Sequence, residues 1–341
     1  MTMGAGRGAS FAGALLVAAG LLLAGTASVH AQNPDLMLSQ AERDSVLKKY
    51  HNIFPILGRK AVERGFDLPK PLGLNIVAMY ANQGIDISNL GLSTGDNPKV
   101  PIEAIKFGGN TSTVSTANFR ADLWLFPFLN VYGMAGGAKA NTTVKVTAPV
   151  EFTSSVDQTG DYLGLGMTGA FGIHRYFSVV DVNWTWSSFE KLDETVRGRV
   201  LSMRFGRNLK LSGTKRLSYW VGAMNMKFAT ETNGSILLSE AIPPEKVAAI
   251  RDQLENIDDS EWYQGLSPAQ KRVVDQMVER LLNSNLGDVK VNYGIHKAPS
   301  DPWNMLIGGN FDLSKRWSIR TEFGVIDRFT FLLSPVYRLD I

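Results

Sequence analysis

From Leu72 to the last residue the chain repeats short stretches in which apolar residues alternate with small or polar ones. Phe119-Arg120-Ala121-Asp122-Leu123-Trp124-Leu125-Phe126 is one such stretch, Leu163-Gly164-Leu165-Gly166-Met167-Thr168-Gly169 a second, and Trp317-Ser318-Ile319-Arg320-Thr321-Glu322-Phe323 a third. A period of two is the signature of strands with two unlike faces. Here one face is broad and aromatic, and the other carries Gly, Asn, Asp and Arg. A soluble sandwich hides its apolar faces, whereas a membrane barrel turns them to lipid and keeps a polar interior. Alternation alone permits both, so the rest of the chain must decide.

The pattern predicts ten strands, at about 72–82, 115–126, 130–146, 160–173, 177–188, 195–207, 216–229, 301–313, 317–325 and 328–340. An even count is what single-chain bacterial barrels require. Connections alternate: 127–129, 174–176, 208–215 and 314–316 are short, and 83–114, 147–159 and 230–300 are long. The brief 189–194 and 326–327 connections are exceptions. Short turns on one side and long loops on the other belong to outer-membrane barrels. Twelve strands result if 100–109 and 288–296 also span. Both are read here as loop strands above the membrane.

Parity then assigns faces. Phe119, Leu163, Leu165, Trp184, Ile319, Phe323 and Phe329 point outward, and so, on this reading, do Trp220, Met224 and Met226. Trp186, Trp220, Trp317 and Tyr337 fall near strand ends, where interfacial aromatics sit. The lumen-lining candidates are four cations, Arg120, Arg204, Lys227 and Arg320, and four carboxylates, Asp122, Asp181, Asp312 and Glu322. Matched charges in a narrow lumen pair across it. About eight strands already fill with side chains and wide channels appear near sixteen, so a wide porin is disfavoured. An ion-pair network that braces the wall is the first expectation and a selective narrow passage the second. Gly164, Gly166 and Gly172 leave room for long side chains opposite.

The start of the chain carries the address. Arg7 is the single charged residue in the first thirty, Phe11 to Gly25 is apolar, and Val29-His30-Ala31 offers small or modest side chains to a signal peptidase. This predicts a secretory signal peptide over 1–31, cleaved before Gln32. The apolar run falls short of the roughly 20 residues a membrane-spanning helix needs. The sequence has no Cys, which excludes disulfides and a lipoprotein anchor. A formal charge of +3 with no basic tract calls for no nucleic acid. Thirty-three glycines and seven tryptophans in an exported chain fit a barrel.

Two regions read as helical. Within 32–70, Ser39-Gln40-Ala41-Glu42 is a capping box, and Val46, Leu47, Tyr50, Ile53 and Phe54 recur at helical spacing until Pro55 ends or kinks the run. This predicts a helix packed on the barrel mouth in preference to a plug within it. Residues 71–341 form the barrel, with a helical insert at 240–285. There Pro243-Pro244-Glu245 opens one helix reaching about Asn256, and Ser267-Pro268-Ala269-Gln270 opens another.

Ala121-Asp122-Leu123-Trp124-Leu125-Phe126-Pro127-Phe128-Leu129-Asn130-Val131-Tyr132-Gly133 and Asp301-Pro302-Trp303-Asn304-Met305-Leu306-Ile307-Gly308-Gly309-Asn310-Phe311, followed by Lys315 to Gly324 and by Asp327-Arg328, resemble a group of poorly characterised outer-membrane β-barrel proteins of Gram-negative bacteria. The resemblance runs from about Pro71 to Leu339. It implies a barrel and an outer-membrane location, and it carries no activity and no catalytic residue. Such barrels usually end in an aromatic residue read by the assembly machinery. Here the last residues are Tyr337-Arg338-Leu339-Asp340-Ile341.

No catalytic, cofactor or metal motif emerges. Beyond the leader the histidines are His51, His174 and His296. His296 with Ser300 is the sole nucleophile–base candidate, at a spacing that matches no signature. Asp258-Asp259 with Glu261 lacks the glycine of a calcium loop. Gly108-Gly109 and Gly136-Gly137 precede no helix and are not phosphate cradles. The chain therefore reads as all-β: a transmembrane antiparallel up-and-down barrel of the cell outer membrane, with a structural or narrow small-solute role. Its expected partners are outer-membrane lipid, the assembly machinery and a small solute. An outer-membrane enzyme acting on lipid or peptide at the rim, and a secreted soluble sandwich, are the alternatives.

Overall fold

The computed structural model describes residues 37–94, 100–101, 106–148, 151–173, 175–190, 192, 194–228, 231–237, 248, 252, 255–283 and 290–341. The leader 1–31 and nearly all of the first helix of the insert, 243–256, lie outside the described residues. So does His174. The strands are β1 (Leu72–Thr94), β2 (Val100–Pro101), β3 (Lys106–Phe107), β4 (Thr111–Phe126), β5 (Leu129–Ala148), β6 (Phe152–Ile173), β7 (Tyr176–Phe189), β8 (Val196–Lys210), β9 (Arg216–Phe228), β10 (Glu231–Leu237), β11 (Lys290–Pro299), β12 (Trp303–Asp312), β13 (Trp317–Gly324) and β14 (Arg328–Leu339).

Ten of these form a closed antiparallel barrel. Each pairs with the next around β1, β4, β5, β6, β7, β8, β9, β12, β13 and β14, and β14 returns to β1. Closure gives every strand of the wall a neighbour on both sides. The ten expected strands correspond to these ten. The segments 100–109 and 288–296 do not span: β2 and β3 are two-residue ladders, and β11 pairs with the distal half of β1, from Ile85↔Pro299 to Thr94↔Val291. The wall thus has ten strands and not twelve.

Several strands outrun the alternating pattern. A membrane-spanning strand needs about 9–11 residues. β12 and β14 have 10 and 12, whereas β1, β5 and β6 have 23, 20 and 22. The surplus stands beyond the band at the distal end, opposite the short turns, which mark the proximal end. The stretch 147–159, expected as a long loop, is mostly the continuation of the β5–β6 hairpin, paired up to Val146↔Phe152. Its Thr, Ser, Asp and Gln side chains put polar groups on both faces of the hairpin. β13 and β14 close early at the turn 325–327, where Asp327 takes a left-handed conformation (φ 58°) that Asp tolerates. β11 bends over that turn to reach β1. Arg328 fills the junction, its guanidinium donating to Gln83 Oε1 at 3.0 Å and to the Pro302 carbonyl at 3.5 Å.

The N-terminal segment lies across the proximal rim. Helix α1 (Gln40–Lys48) is capped as the sequence predicts, the Glu42 carboxylate accepting from the Ser39 N–H at 2.8 Å. It stops at Lys48 and does not continue to Phe54. Residues 53–56 are not helical, and their N–H groups bond instead to the barrel rim: Ile53 to the Ile341 carbonyl and Ile56 to the Leu125 carbonyl. Helix α2 (Gly58–Glu63) follows Pro55. Asp67 then accepts from Arg216 at 2.9 Å, and Lys70 pairs with Asp340.

In the insert, α3 (Glu261–Gln264) and α4 (Pro268–Asn283) pack on each other around Ile257, Leu266 and Val274. Ser267 caps α4 with Gln270, as expected. No helix among the described residues is long and apolar enough to cross a membrane.

Candidate functional site

The barrel interior is the candidate site, and strand alternation builds it. Leu163, Leu165, Phe119, Val221 and Ile307 face away from the lumen and are about half exposed or more. Their sequence neighbours point inward and are covered. The outward wall is an apolar band, with Trp317 against Tyr337 at 4.7 Å near the proximal rim and Trp184, Trp186 and Trp303 exposed towards the distal side.

Three clusters occupy the interior. The first is centred on Glu322 of β13, 6% exposed. Arg204 of β8 grips its carboxylate with two bonds, Nε to Oε2 at 2.6 Å and Nη2 to Oε1 at 2.9 Å, and donates Nη1 to Ser202 at 2.8 Å. Trp220 of β9 donates its indole N–H to Oε2 at 2.7 Å. Arg320 adds a longer bond at 3.3 Å and lies 5.2 Å over the Trp220 ring. One strand, β12, lies between Trp220 and Glu322, and the register explains how they meet. Gly308 of β12 is the cross-strand partner of both. A Cβ there would sit 2.6 Å from the indole, so only glycine lets the ring lie flat across β12.

The same device recurs. Tyr132 of β5 lies over Gly166, where a Cβ would be 2.3 Å from its Cζ, and donates its hydroxyl to both Asp181 oxygens at 3.1 Å. Thr168 donates to Asp181 at 2.6 Å, and Arg120 stacks 3.5 Å over the Tyr132 ring. Asp122 leans over Gly73 to meet Arg338 at 3.0 Å, with Asn130 at 2.7 Å and Asn75 at 3.2 Å completing its shell. These carboxylates are therefore buried with hydrogen-bonded partners, the condition under which a buried charge is tolerated.

Seven of the eight expected interior residues point inward. Arg204, Arg320 and Glu322 come together, Arg120 joins Asp181 through Tyr132, and Asp122 pairs with Arg338. Asp312 lies at the proximal end and accepts from Asn310 at 2.7 Å. Lys227 is the correction. It pairs across from Arg199 on the outer face with exposed Tyr219 and Val221. The whole of β9 is inverted relative to the expectation, so Trp220, Met224 and Met226 face in. Trp220 is 6% exposed and is an interior ligand of Glu322, not an interfacial aromatic. Sequence reading missed Trp220, Tyr132, Arg328 and Arg338. Gly308 and Gly166 were the available signal, since an inward glycine between polar strands marks a side chain crossing it.

Arg320 is less committed than Arg204, with a single bond to Glu322 at 3.3 Å. Its Nε is buried with no acceptor among the described residues. Among the described residues the interior guanidinium groups Arg120, Arg204, Arg320, Arg328 and Arg338 outnumber the carboxylates Asp122, Asp181, Asp312 and Glu322. No cluster of three metal-ligating side chains occurs among the described residues. Ser300 donates to Asp86 at 2.7 Å, a bond that engages the hydroxyl of the one nucleophile candidate.

No family model and no curated protein matches the chain. Solved structures with a similar arrangement include the β domain of the Bordetella autotransporter BrkA (11% identity, 78% of this chain and all of that one, TM-score 0.37). Others are the outer membrane protein OprG from Pseudomonas aeruginosa (12%, 80% and 100%, TM-score 0.34) and the translocator domain of the autotransporter NalP from Neisseria meningitidis (9%, 82% and 92%, TM-score 0.34).

Proposed function

We propose that this chain is an outer-membrane barrel whose interior network braces the wall and leaves a narrow passage that favours small anions. Arg320, held by one longer bond and with its Nε lacking an acceptor among the described residues, carries the reading. It offers a guanidinium inside a lumen where Arg204 already satisfies Glu322, and surplus positive charge in a low-dielectric channel attracts anions. The apolar exterior supports a place in lipid. A closed barrel of ten strands leaves no room for a wide channel.

Planar-bilayer recording tests this. The account expects small unitary currents with a reversal potential on the anion side, and Arg320→Ala moves that potential towards cations. Silence from well-folded wild-type protein would refute the passage and leave the bracing role alone.

A further inference from the structure

The barrel wall has a notch at the proximal rim. β1 begins at Leu72, which pairs with Leu339 on one side and Leu123 on the other. β4 continues past its partner to Phe126, and the chain runs on beyond the end of β14 to Ile341, with no β1 residue left between them. Residues 53–56 reach across that place. Ile53 donates its N–H to the Ile341 carbonyl at 3.1 Å, and Ile56 donates to the Leu125 carbonyl at 2.9 Å. One bond to each side makes this segment a substitute for the missing first residues of β1, supplied from about twenty residues upstream.

Its side chains divide between a covered and an open side. Pro55 is buried, while Ile53 is 78%, Leu57 53% and Ile56 43% exposed. Three large apolar side chains this exposed, on a backbone already engaged, need an apolar environment. They adjoin Ile341 and Leu125, and Ile341 is itself 43% exposed. Cations flank the segment on both sides, Lys48 and Lys49 before it and Arg59 and Lys60 after it, all exposed. An apolar stretch bracketed by long cationic side chains suits the boundary between acyl chains and headgroup phosphates.

We propose that residues 53–57 complete the lipid-facing wall and insert Ile53, Ile56 and Leu57 among the phospholipid acyl chains of the proximal leaflet. The inference rests on the membrane placement of the barrel and extends the lipid-facing band to a segment outside the strands.

The absence of cysteine makes the test direct. Single cysteines at Ile53, Ile56 and Leu57 carry nitroxide labels in the full barrel, folded into phospholipid vesicles. Leu333, outward on β14, is the lipid reference, and Ser212, in a proximal turn, is the aqueous one. Collision of each label with oxygen and with a water-soluble nickel chelate is measured. The expected result is that the three labels show the oxygen-to-nickel ratio of Leu333. If they match Ser212 while Leu333 remains lipid-like, the proposal is overturned and the barrel stands. If Leu333 also matches Ser212, the proposal falls together with the membrane placement. Where a label blocks folding, the rate of thiol reaction with an aqueous maleimide replaces it. Reaction much slower than at Ser212 supports insertion, and an equal rate overturns it.

Discussion

Replacing Glu322 by alanine probes the interior network at its centre. Glu322 accepts two bonds from Arg204, one from the Trp220 indole and one from Arg320. Removing the carboxylate leaves two guanidinium groups and an indole N–H in a covered interior with nothing opposite. Breaking a buried ion pair by deleting one partner costs about 3–5 kcal/mol, most of it the uncompensated charge that remains. At roughly 2 °C per kcal/mol for a chain of this size, that is a fall of about 6–10 °C in melting midpoint. The midpoint is read from the temperature at which the detergent-extracted protein changes from its folded to its unfolded gel mobility. Thr321→Ala, on the outward face of the same strand, is the control and should stay within about 1 °C, as exposed substitutions do. Arg204 makes the two-bond grip and Arg320 a single longer bond, so Arg204→Ala should cost more than Arg320→Ala. Equal midpoints for Glu322→Ala and Thr321→Ala would refute the network as a source of stability. A larger loss for Thr321→Ala would put β13 one residue out of register and reverse its faces.

Three other outcomes are expected. Gly166→Ala places a Cβ against the Tyr132 ring and should cost about 1–3 kcal/mol through overpacking, read as a lower melting midpoint. The pKa of Lys297, on β11 beyond the end of β14, is pushed down to about 8 by burial, and its ammonium donates to Thr142 at 3.3 Å. Its folded pKa lies below its unfolded value, so the unfolded chain binds more protons between the two and stability rises with pH from about 8 towards 10. Lys297→Met should abolish that rise in melts taken at several pH values. Replacing 240–285 with a short Gly-Ser linker should leave the folded gel band intact, because α3 and α4 have their own core in Ile257, Leu266 and Val274.

The barrel was legible because ten strands alternate apolar and polar residues, and that alternation is the imprint of an apolar exterior on one side and a polar interior on the other. Where both sides meet water the imprint vanishes, which is why the distal β5–β6 hairpin reads as a loop. β9 was inverted because its interior face carries Trp220 and two methionines. An aromatic that reaches a buried carboxylate looks, in one dimension, like an aromatic that reaches lipid. Only the register, with Gly308 between Trp220 and Glu322, separates the two. Helix α1 stops early for a similar reason. Helical spacing persists to Phe54, but the backbone of Ile53 and Ile56 finds partners at the ends of β14 and β4, and tertiary pairing overrides local propensity.

The most direct test of the account is the gel mobility of the protein extracted in mild detergent from a purified outer-membrane fraction, compared before and after boiling. A closed barrel with a braced interior predicts recovery in that fraction and an unheated band displaced from the boiled one. Recovery in the soluble fraction, with a single mobility whether or not the sample is heated, would contradict it.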